Sequence, residues 1–166
     1  MDSLNVPLPA GVRHEIDSLR PMLADFESVR TTPTLVLKRF DGSLSARAIE
    51  SEIRLALADS SPFAVRLEGI GTFKDPVAGA GPVVYLAVES PGLERLHTQL
   101  VDRFGAHEGL EGDDYVPHVT LARGSGMDGV APLEDAAIDP LEWTVSELCF
   151  WDARLQERTG RLALSS

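Results

Sequence analysis

Apolar side chains recur at three- and four-residue steps in three stretches of the chain, which is the spacing of one buried face of an α-helix. The first predicted helix carries the stripe Val12, Ile16, Leu19, Leu23 and Phe26. The second lies within residues 44–57, and the third starts at the cap Ser90 with Pro91 and ends at Gly105. The pattern therefore predicts three helices that each bury one face.

Runs of β-branched and alternating apolar residues predict strands between and after these helices. The predicted strands cover residues 32–38, 63–73, 83–88, 115–123, 144–151 and 161–164. The last two are expected to form a hairpin around Gly160, and residues 83–88 to pair with the strand before them. Hairpins mixed with helices favour an antiparallel α+β fold over a doubly wound parallel sheet.

Residues 124–129 satisfy the pattern G-x-G-x-x-G, which marks a dinucleotide-binding turn when it lies in a parallel βαβ unit. That interpretation needs a helix immediately afterwards, and Val130-Ala131-Pro132 begins a helix poorly. We therefore interpret the segment as a loop.

Composition narrows the class of protein. The chain has 166 residues, 43% of them hydrophobic, which suits one full core, and we expect a single domain over residues 1–166 and a monomer. The net charge of -11 disfavours long duplex nucleic acid, because such binding depends on Lys and Arg displacing counterions. No stretch approaches the ~20 apolar residues that span a bilayer, and Cys149 is the only cysteine. We expect a cytoplasmic protein that binds no membrane.

Two segments of the chain resemble each other. Residues 33–39 and residues 117–123 share Pro, Leu and Arg at one offset. Each is a predicted strand with a predicted helix on its N-terminal side. This internal repeat predicts two pseudo-symmetric lobes.

The second copy of the repeat carries a more specific motif. Residues 115–123, YVPHVTLAR, resemble the second signature motif of the 2H phosphoesterases, the 2'-5' RNA ligase-like superfamily, in which His-x-Thr follows Pro and is closely followed by Arg. Residues 62–73 and 83–88 are also similar to that family in order and spacing. The resemblance covers roughly residues 29–164.

The resemblance implies two pseudo-symmetric α+β lobes, whose antiparallel sheets face a central cleft with helices on the outside. Each lobe contributes one His-x-Thr strand. The two histidines serve as general base and general acid in cleaving an RNA-derived phosphodiester, often 2',3'-cyclic or 2'-5' linked, and neither a metal nor another cofactor is required. The implied ligand is a nucleotide or a short RNA end with a phosphodiester.

His118 and Thr120 are the candidate catalytic residues. Side chains at positions i and i+2 of a strand point to the same face, so both can reach one ligand. An imidazole near its free pKa exchanges protons at physiological pH, and a Thr hydroxyl hydrogen-bonds a phosphate oxygen. Tyr115 and Arg123, from the same motif, are candidate substrate-binding residues.

The first motif lacks its histidine in both registers that the sequence allows. If residues 32–35 align with His-x-Thr-x, Thr32 replaces the histidine and Thr34 keeps the threonine. If the internal repeat sets the register, Thr34 replaces the histidine and Val36 replaces the threonine. Both registers have the same parity, so Thr32, Thr34, Val36 and Lys38 are expected to face the cleft. We assign Thr32, Thr34 and Lys38 to substrate binding.

No other histidine is placed to substitute, because His14, His97 and His107 lie outside the predicted cleft strands; His97 is expected to be partly buried and structural. Losing one of two proton carriers should cost ~10²- to 10⁴-fold in rate without abolishing phosphate binding. Two functions stay open at this point. One is a weak phosphoesterase, and the other is a catalytically inactive protein that binds a nucleotide or a protein partner through the same cleft.

Overall fold

The computed structural model describes residues 2–124 and 127–165. The helices are α1 (Ala10–Leu19), α2 (Ala46–Ala56), α3 (Pro91–Phe104) and α4 (Met127–Glu134), with short 3-10 turns at Arg20–Leu23 and Gly112–Asp114. The strands are β1 (Asp2–Val6), β2 (Ser28–Val29), β3 (Leu35–Arg39), β4 (Phe63–Phe73), β5 (Val83–Glu89), β6 (His118–Arg123), β7 (Glu142–Val145), β8 (Glu147–Asp152) and β9 (Glu157–Ala163).

The strands form one strongly curled antiparallel sheet in the order β7-β4-β5-β6-β3-β1-β8-β9, with β2 paired to β6. The predicted α+β fold is confirmed. The two halves of the sheet, β7-β4-β5-β6 and β3-β1-β8-β9, meet where β6 lies beside β3. The two strands of the internal repeat are therefore neighbours, paired through Leu35 and Val119.

The three predicted helices form for the expected reasons. In α3 the Ser90 Oγ accepts a hydrogen bond from the Leu93 backbone N–H at 3.1 Å, which caps the helix. The stripe of α1 is buried as predicted, and Pro21 ends the α-helix in a 3-10 turn. These faces pack on the sheet in one hydrophobic core. No helix within the described residues is long and apolar enough to cross a membrane.

The N-terminal strand β1 was not predicted, and it lies in the middle of the sheet between β3 and β8. Its Ser3 and Asn5 are buried alongside Leu4 and Val6, so both faces of the strand are covered although polar and apolar residues alternate along it. Ser3 donates a hydrogen bond to the Asn5 side chain at 2.7 Å. The strand owes its central place in the sheet to pairing with β3 and β8, both of which are distant in sequence.

The prediction for the C-terminal strands was partly wrong. The predicted strand 144–151 is divided into β7, which pairs with β4, and β8, which pairs with β9. Gly160 lies within β9 opposite Phe150, rather than at the turn. A Cβ at Gly160 would come within 3.3 Å of the Phe150 ring, so the glycine makes room for that aromatic side chain.

The segment interpreted as a loop, residues 124–129, runs into helix α4 instead, although Ser125 and Gly126 lie outside the described residues. Pro132 is accommodated in this helix, and Val130 and Leu133 are fully buried. Tertiary burial thus outweighs the weak local start. The dinucleotide interpretation still fails, because the preceding strand β6 pairs antiparallel with its neighbours rather than within a parallel βαβ unit.

Candidate active site

Two adjoining cavities, of about 230 and 610 Å³, open beside β3 and β6. They share the residues Arg30, Arg39, Leu110, His118 and Thr120. We call their combined space the central cleft. The predicted site residues that line it are Thr32, Thr34, Tyr115, His118, Thr120 and Arg123. Thr34 and His118 thus share one cavity, as the sequence predicts.

Lys38 does not face the central cleft, contrary to the prediction. A β-bulge leaves Leu37 without a partner on β1, because Val36 pairs with Asn5 and Lys38 with Leu4. The extra residue reverses the alternation of faces, so Lys38 points into the protein and is only 1% exposed. Arg39, the next residue, takes the position in the cleft.

The imidazole of His118 is held in a defined orientation. Its Nδ1 donates a hydrogen bond of 2.6 Å to the Val116 carbonyl oxygen, which leaves the lone pair on Nε2. The rings of Phe73 and Tyr85 contact it edge to face at 5.2 and 5.3 Å between centroids. Burial lowers the pKa of His118 and the Arg39 cation lowers it further, against the opposing effect of the Val116 hydrogen bond. The neutral, proton-accepting form is therefore favoured.

Thr120 follows His118 on the same face of β6. The residues between and after them, Val119 and Leu121, are buried in the core with exposures of 0% and 1%. The alternation along β6 is thus the one predicted for a His-x-Thr strand. It puts an imidazole and a hydroxyl into one cavity.

Tyr115 lines the central cleft, but its hydroxyl is already engaged. The hydroxyl donates to the Val36 carbonyl oxygen at 2.8 Å, and the ring stacks on His97 at 3.7 Å between centroids. Burial raises the pKa of Tyr115. The side chain therefore shapes the wall of the cleft and ties it to β3, rather than supplying a proton.

Three arginines lie together in the central cleft: Arg30, Arg39 and Arg123. Burial lowers the pKa of Arg30, and the nearby cations Arg123 and Arg39 lower it further. Among the described residues none of the three forms a salt bridge to a carboxylate. The arrangement suits an anionic ligand, since guanidinium groups bind phosphate with paired hydrogen bonds.

Sequence reasoning missed Arg30 and Arg39. A signal for Arg39 was present, because the internal repeat aligns it with Arg123. In an unbroken strand Lys38 would face the cleft, and the bulge at Leu37 puts Arg39 there instead. Arg30 follows the two-residue strand β2, which pairs with β6, and a strand that short has no periodicity to detect.

A loop before β5 holds Arg123. The Arg123 Nη1 donates to the Ala78 carbonyl oxygen at 2.8 Å. Gly79, with a φ of 80°, lies directly against the guanidinium, where a Cβ would collide with it. This glycine thus serves both the left-handed backbone and the close approach of Arg123.

A buried ionic cluster anchors the segment that leads into β6. Glu111 is 3% exposed and accepts hydrogen bonds from the Lys38 ammonium at 2.8 Å and from the Arg39 backbone N–H at 3.0 Å. His107 adds its backbone N–H at 3.0 Å and its Nδ1 at 2.5 Å. Burial by itself would raise the pKa of Glu111, but these donors lower it to about 2. Lys38 thus supports the wall of the central cleft from behind.

His97 completes this anchor and has the structural role that was predicted. Its Nδ1 donates to the Leu37 carbonyl oxygen at 2.7 Å, and its Nε2 accepts from the Gly112 N–H at 3.0 Å. Both ring nitrogens are occupied in this way only in the neutral form. Burial lowers the pKa of His97, which favours that form.

Comparison with models of known protein families identifies the family to which this chain belongs. A model of the 2'-5' RNA ligase superfamily matches residues 10–157. The chain belongs to this superfamily.

Solved structures agree with this assignment at the level of the fold. E. coli LigT in complex with NADP+ is 25% identical over 99% of this chain and 98% of that one, with a TM-score of 0.66. TT0787 of Thermus thermophilus is 21% identical over 98% and 97% of the two chains, with a TM-score of 0.65. A structure described as a phosphoesterase is 23% identical over 99% and 98%, with a TM-score of 0.68. No curated protein matches the chain.

The contact between β3 and β6 bears on the first motif of this 2'-5' RNA ligase superfamily member. Leu35 pairs antiparallel with Val119. The same two residues occupy equivalent positions in the repeat formed by residues 33–39 and 117–123. A pseudo-two-fold axis through this pair therefore relates the two strands in the register of the repeat.

That axis relates Thr34 to His118 and Val36 to Thr120. The geometry thus favours the register in which both residues of the first motif are replaced, over the one in which Thr32 takes the place of the histidine. In either register the first-motif position holds a threonine, and His118 is the only histidine among the described residues that line the central cleft.

Proposed function

We propose that this protein binds a nucleotide or a short RNA end in the central cleft and cleaves 2',3'-cyclic or 2'-5' phosphodiesters slowly and without a metal, with His118 as its proton carrier. The observation that carries the proposal is the grouping of His118 and Thr120 with three arginines in one cleft. The superfamily supports phosphodiester chemistry. E. coli LigT structures with 3'-AMP and with ATP support a nucleotide as the ligand.

Each side chain has a defined part in the proposal. The Nε2 of His118 removes a proton from the attacking oxygen. The Thr120 hydroxyl donates to a non-bridging phosphate oxygen, and Arg39 and Arg123 neutralise the phosphate charge. The reaction takes two proton transfers and the cleft supplies one positioned proton carrier. We therefore expect rates below those of a two-histidine site by ~10²- to 10⁴-fold.

A second candidate is a catalytically inactive protein that binds a nucleotide through the same cleft. The replacement of both first-motif residues, by Thr34 and Val36, favours it. An intact set of phosphate-binding arginines without full proton-transfer machinery is the arrangement expected of a binding protein that descends from an enzyme.

Titration calorimetry and a turnover assay on the same ligands separate the two. The panel is adenosine 2',3'-cyclic phosphate, a 2'-5' dinucleotide and 3'-AMP, tested against the parent protein and His118→Ala. The enzyme proposal expects slow hydrolysis that His118→Ala abolishes while retaining affinity within a few fold. Binding without turnover favours the inactive protein, and the absence of binding across the panel rejects both.

A further inference from the structure

The central cleft contains more positively charged side chains than side chains that can carry a proton to or from a substrate. All four histidines lie in the described residues, and His118 alone lines the cleft. The Tyr115 hydroxyl donates its hydrogen bond to the Val36 carbonyl oxygen and is not available to a substrate. Asp2, Asp75 and Asp114 lie at the rim and are exposed to solvent. One histidine thus shares the cleft with three arginines.

The number of proton carriers in the cleft determines which kind of phosphate bond is cleaved readily. Cleaving an ordinary RNA diester takes two proton transfers, since the nucleophile loses a proton and the departing alkoxide gains one. His118, with Nδ1 held by Val116 and the lone pair on Nε2, is set up as the base. The attacking and departing oxygens lie on opposite sides of the phosphorus in an in-line displacement, so His118 does not reach the departing oxygen to protonate it. A bond whose leaving group is a stable anion is therefore cleaved more readily than one that releases an alkoxide.

The positive charge of the arginines favours the same kind of substrate bond. A single phosphodiester carries one negative charge, whereas Arg30, Arg39 and Arg123 supply three positive charges, none of which forms a salt bridge to a carboxylate among the described residues. A diphosphate brings at least two negative charges, and a further one develops on the phosphate that departs. Guanidinium groups aimed at that charge stabilise the departing anion without a proton.

We propose that the preferred substrate bond of the central cleft is a phosphoanhydride, the P–O–P bond of a nucleotide diphosphate diester, rather than a P–O–C bond. This rests on the proposed function, namely that the cleft binds nucleotides and that His118 acts on them. A water oxygen attacks one phosphorus, and Nε2 of His118 takes a proton from it. The bond from that phosphorus to the bridging oxygen breaks, and its electron pair leaves with the second phosphate, which the arginines hold. The imidazolium then returns the proton to solvent.

The test compares four adenosine compounds with the intact protein in the presence of a chelator. They are diadenosine diphosphate, the 4-nitrophenyl ester of AMP, the 2'-5' dinucleotide of adenosine, and adenosine 2',3'-cyclic phosphate. We expect kcat/KM for diadenosine diphosphate and the nitrophenyl ester to exceed that for the 2'-5' dinucleotide by at least ~100-fold, the value of one missing general acid. His118→Ala should remove all of this activity.

A variant separates the role of charge from that of leaving-group acidity. Arg39→Met should lower the rate on diadenosine diphosphate at least tenfold more than on the nitrophenyl ester, whose leaving phenolate carries less charge. Arg95→Met, at an exposed arginine on α3, is the matched control and should leave both rates unchanged. Equal losses on the two substrates would mean that Arg39 does not serve the departing phosphate and would overturn the assignment.

The outcomes distinguish this proposal from the one on which it rests. Cleavage of the unstrained 2'-5' dinucleotide at a rate equal to or above that of diadenosine diphosphate would reveal a second proton donor. The phosphoanhydride proposal would then be wrong while the proposed function stands. Binding without any hydrolysis overturns the phosphoanhydride proposal and leaves a nucleotide-binding protein. Absence of both binding and hydrolysis overturns both proposals.

Discussion

At the scale of single residues, His118 carries the proposed chemistry and its surroundings fix its protonation. The Val116 carbonyl oxygen accepts a hydrogen bond from Nδ1, Phe73 and Tyr85 contact the ring, and Arg39 adds a nearby positive charge. Burial and that charge both lower the pKa of the imidazole. A neutral His118 with its lone pair on Nε2 is thus the form present at neutral pH.

This protonation predicts the pH profile of hydrolysis. A base is active when neutral, so kcat/KM should be constant at neutral pH and fall as the pH drops through the pKa of His118, with a midpoint below the ~6.5 of a free imidazole. No alkaline limb is expected near neutrality, because the cleft holds no second histidine among its described residues. Arg39→Met should move the midpoint upward. A rate that falls as the pH rises would instead make His118 a general acid.

Restoring the first motif is a second test at the residue scale. The register favoured by the β3–β6 pairing predicts that Thr34→His together with Val36→Thr raises cleavage of 2'-5' and cyclic substrates by ~10²-fold or more, since a second proton carrier is added. Thr32→His should give less, because it lies outside the pseudo-two-fold relation. Adding His118→Ala to the active variant should remove the gain. If Thr32→His gives the larger gain in initial-rate assays, the register assigned from the pairing is wrong.

At the scale of secondary-structure elements, two irregularities decide which side chains reach the central cleft. The bulge in β3 turns Lys38 inward and Arg39 outward. The loop before β5 positions Arg123 through the Ala78 carbonyl and the bare backbone of Gly79. Regular strands with ordinary turns would therefore not bring the same charges together.

The loop contact predicts a binding defect that can be separated from backbone strain. Gly79→Ala places a methyl group against the Arg123 guanidinium and should weaken nucleotide binding at least ~10-fold, on the order of one lost charge-assisted hydrogen bond. Gly42 has a φ of 81°, and a Cβ there would meet nothing within 4 Å, so Gly42→Ala carries similar backbone strain without the contact. Calorimetry and thermal unfolding of both variants provide the check. Equal binding by the two would show that Gly79 does not position Arg123.

At the scale of the whole molecule, the buried Lys38–Glu111 pair joins two parts of the chain that are far apart in sequence. Together with His97 it fastens the segment carrying Leu110 and Tyr115 to β3. One wall of the central cleft therefore depends on an ionic contact behind it.

This pair predicts how stability responds to substitution and to pH. Glu111→Gln should lower the free energy of unfolding by about 3–5 kcal/mol, because it leaves the Lys38 ammonium buried without a counter-charge. Adding Lys38→Met should recover part of that loss. Since the folded pKa of Glu111 is about 2, below its ordinary value of 4.5, its stabilisation is present above pH 4.5 and is lost as the pH falls towards 2.

Urea unfolding of the parent, both single variants and the double variant, at neutral and acidic pH, measures these effects. The parent should lose more stability than Glu111→Gln between pH 4.5 and 2, because the variant lacks the titrating carboxylate. An additive double variant, with no recovery, would contradict the coupling between the two residues.

Much of the site could be predicted from the sequence because it depends on local periodicity. His118 and Thr120 share a face through their spacing of two, and Ser90 caps α3 as its position before Pro91 predicts. The N-terminal strand β1 and the helix α4 escaped prediction, since their conformations depend on burial by distant segments. Arg30 was missed for a similar reason, because its strand is ordered by pairing with β6.

The sequence by itself determined the α+β fold, the face of β6 that carries His118, and the absence of a histidine from the first motif, because each follows from residue types at fixed spacing. Only the tertiary structure decided that Arg39 rather than Lys38 enters the central cleft, that Leu35 pairs with Val119, and that Arg30 joins the cluster. These features arise from pairing between strands that are distant along the chain. A bulge or a register shift there redirects side chains in a way that the periodicity of one strand does not contain.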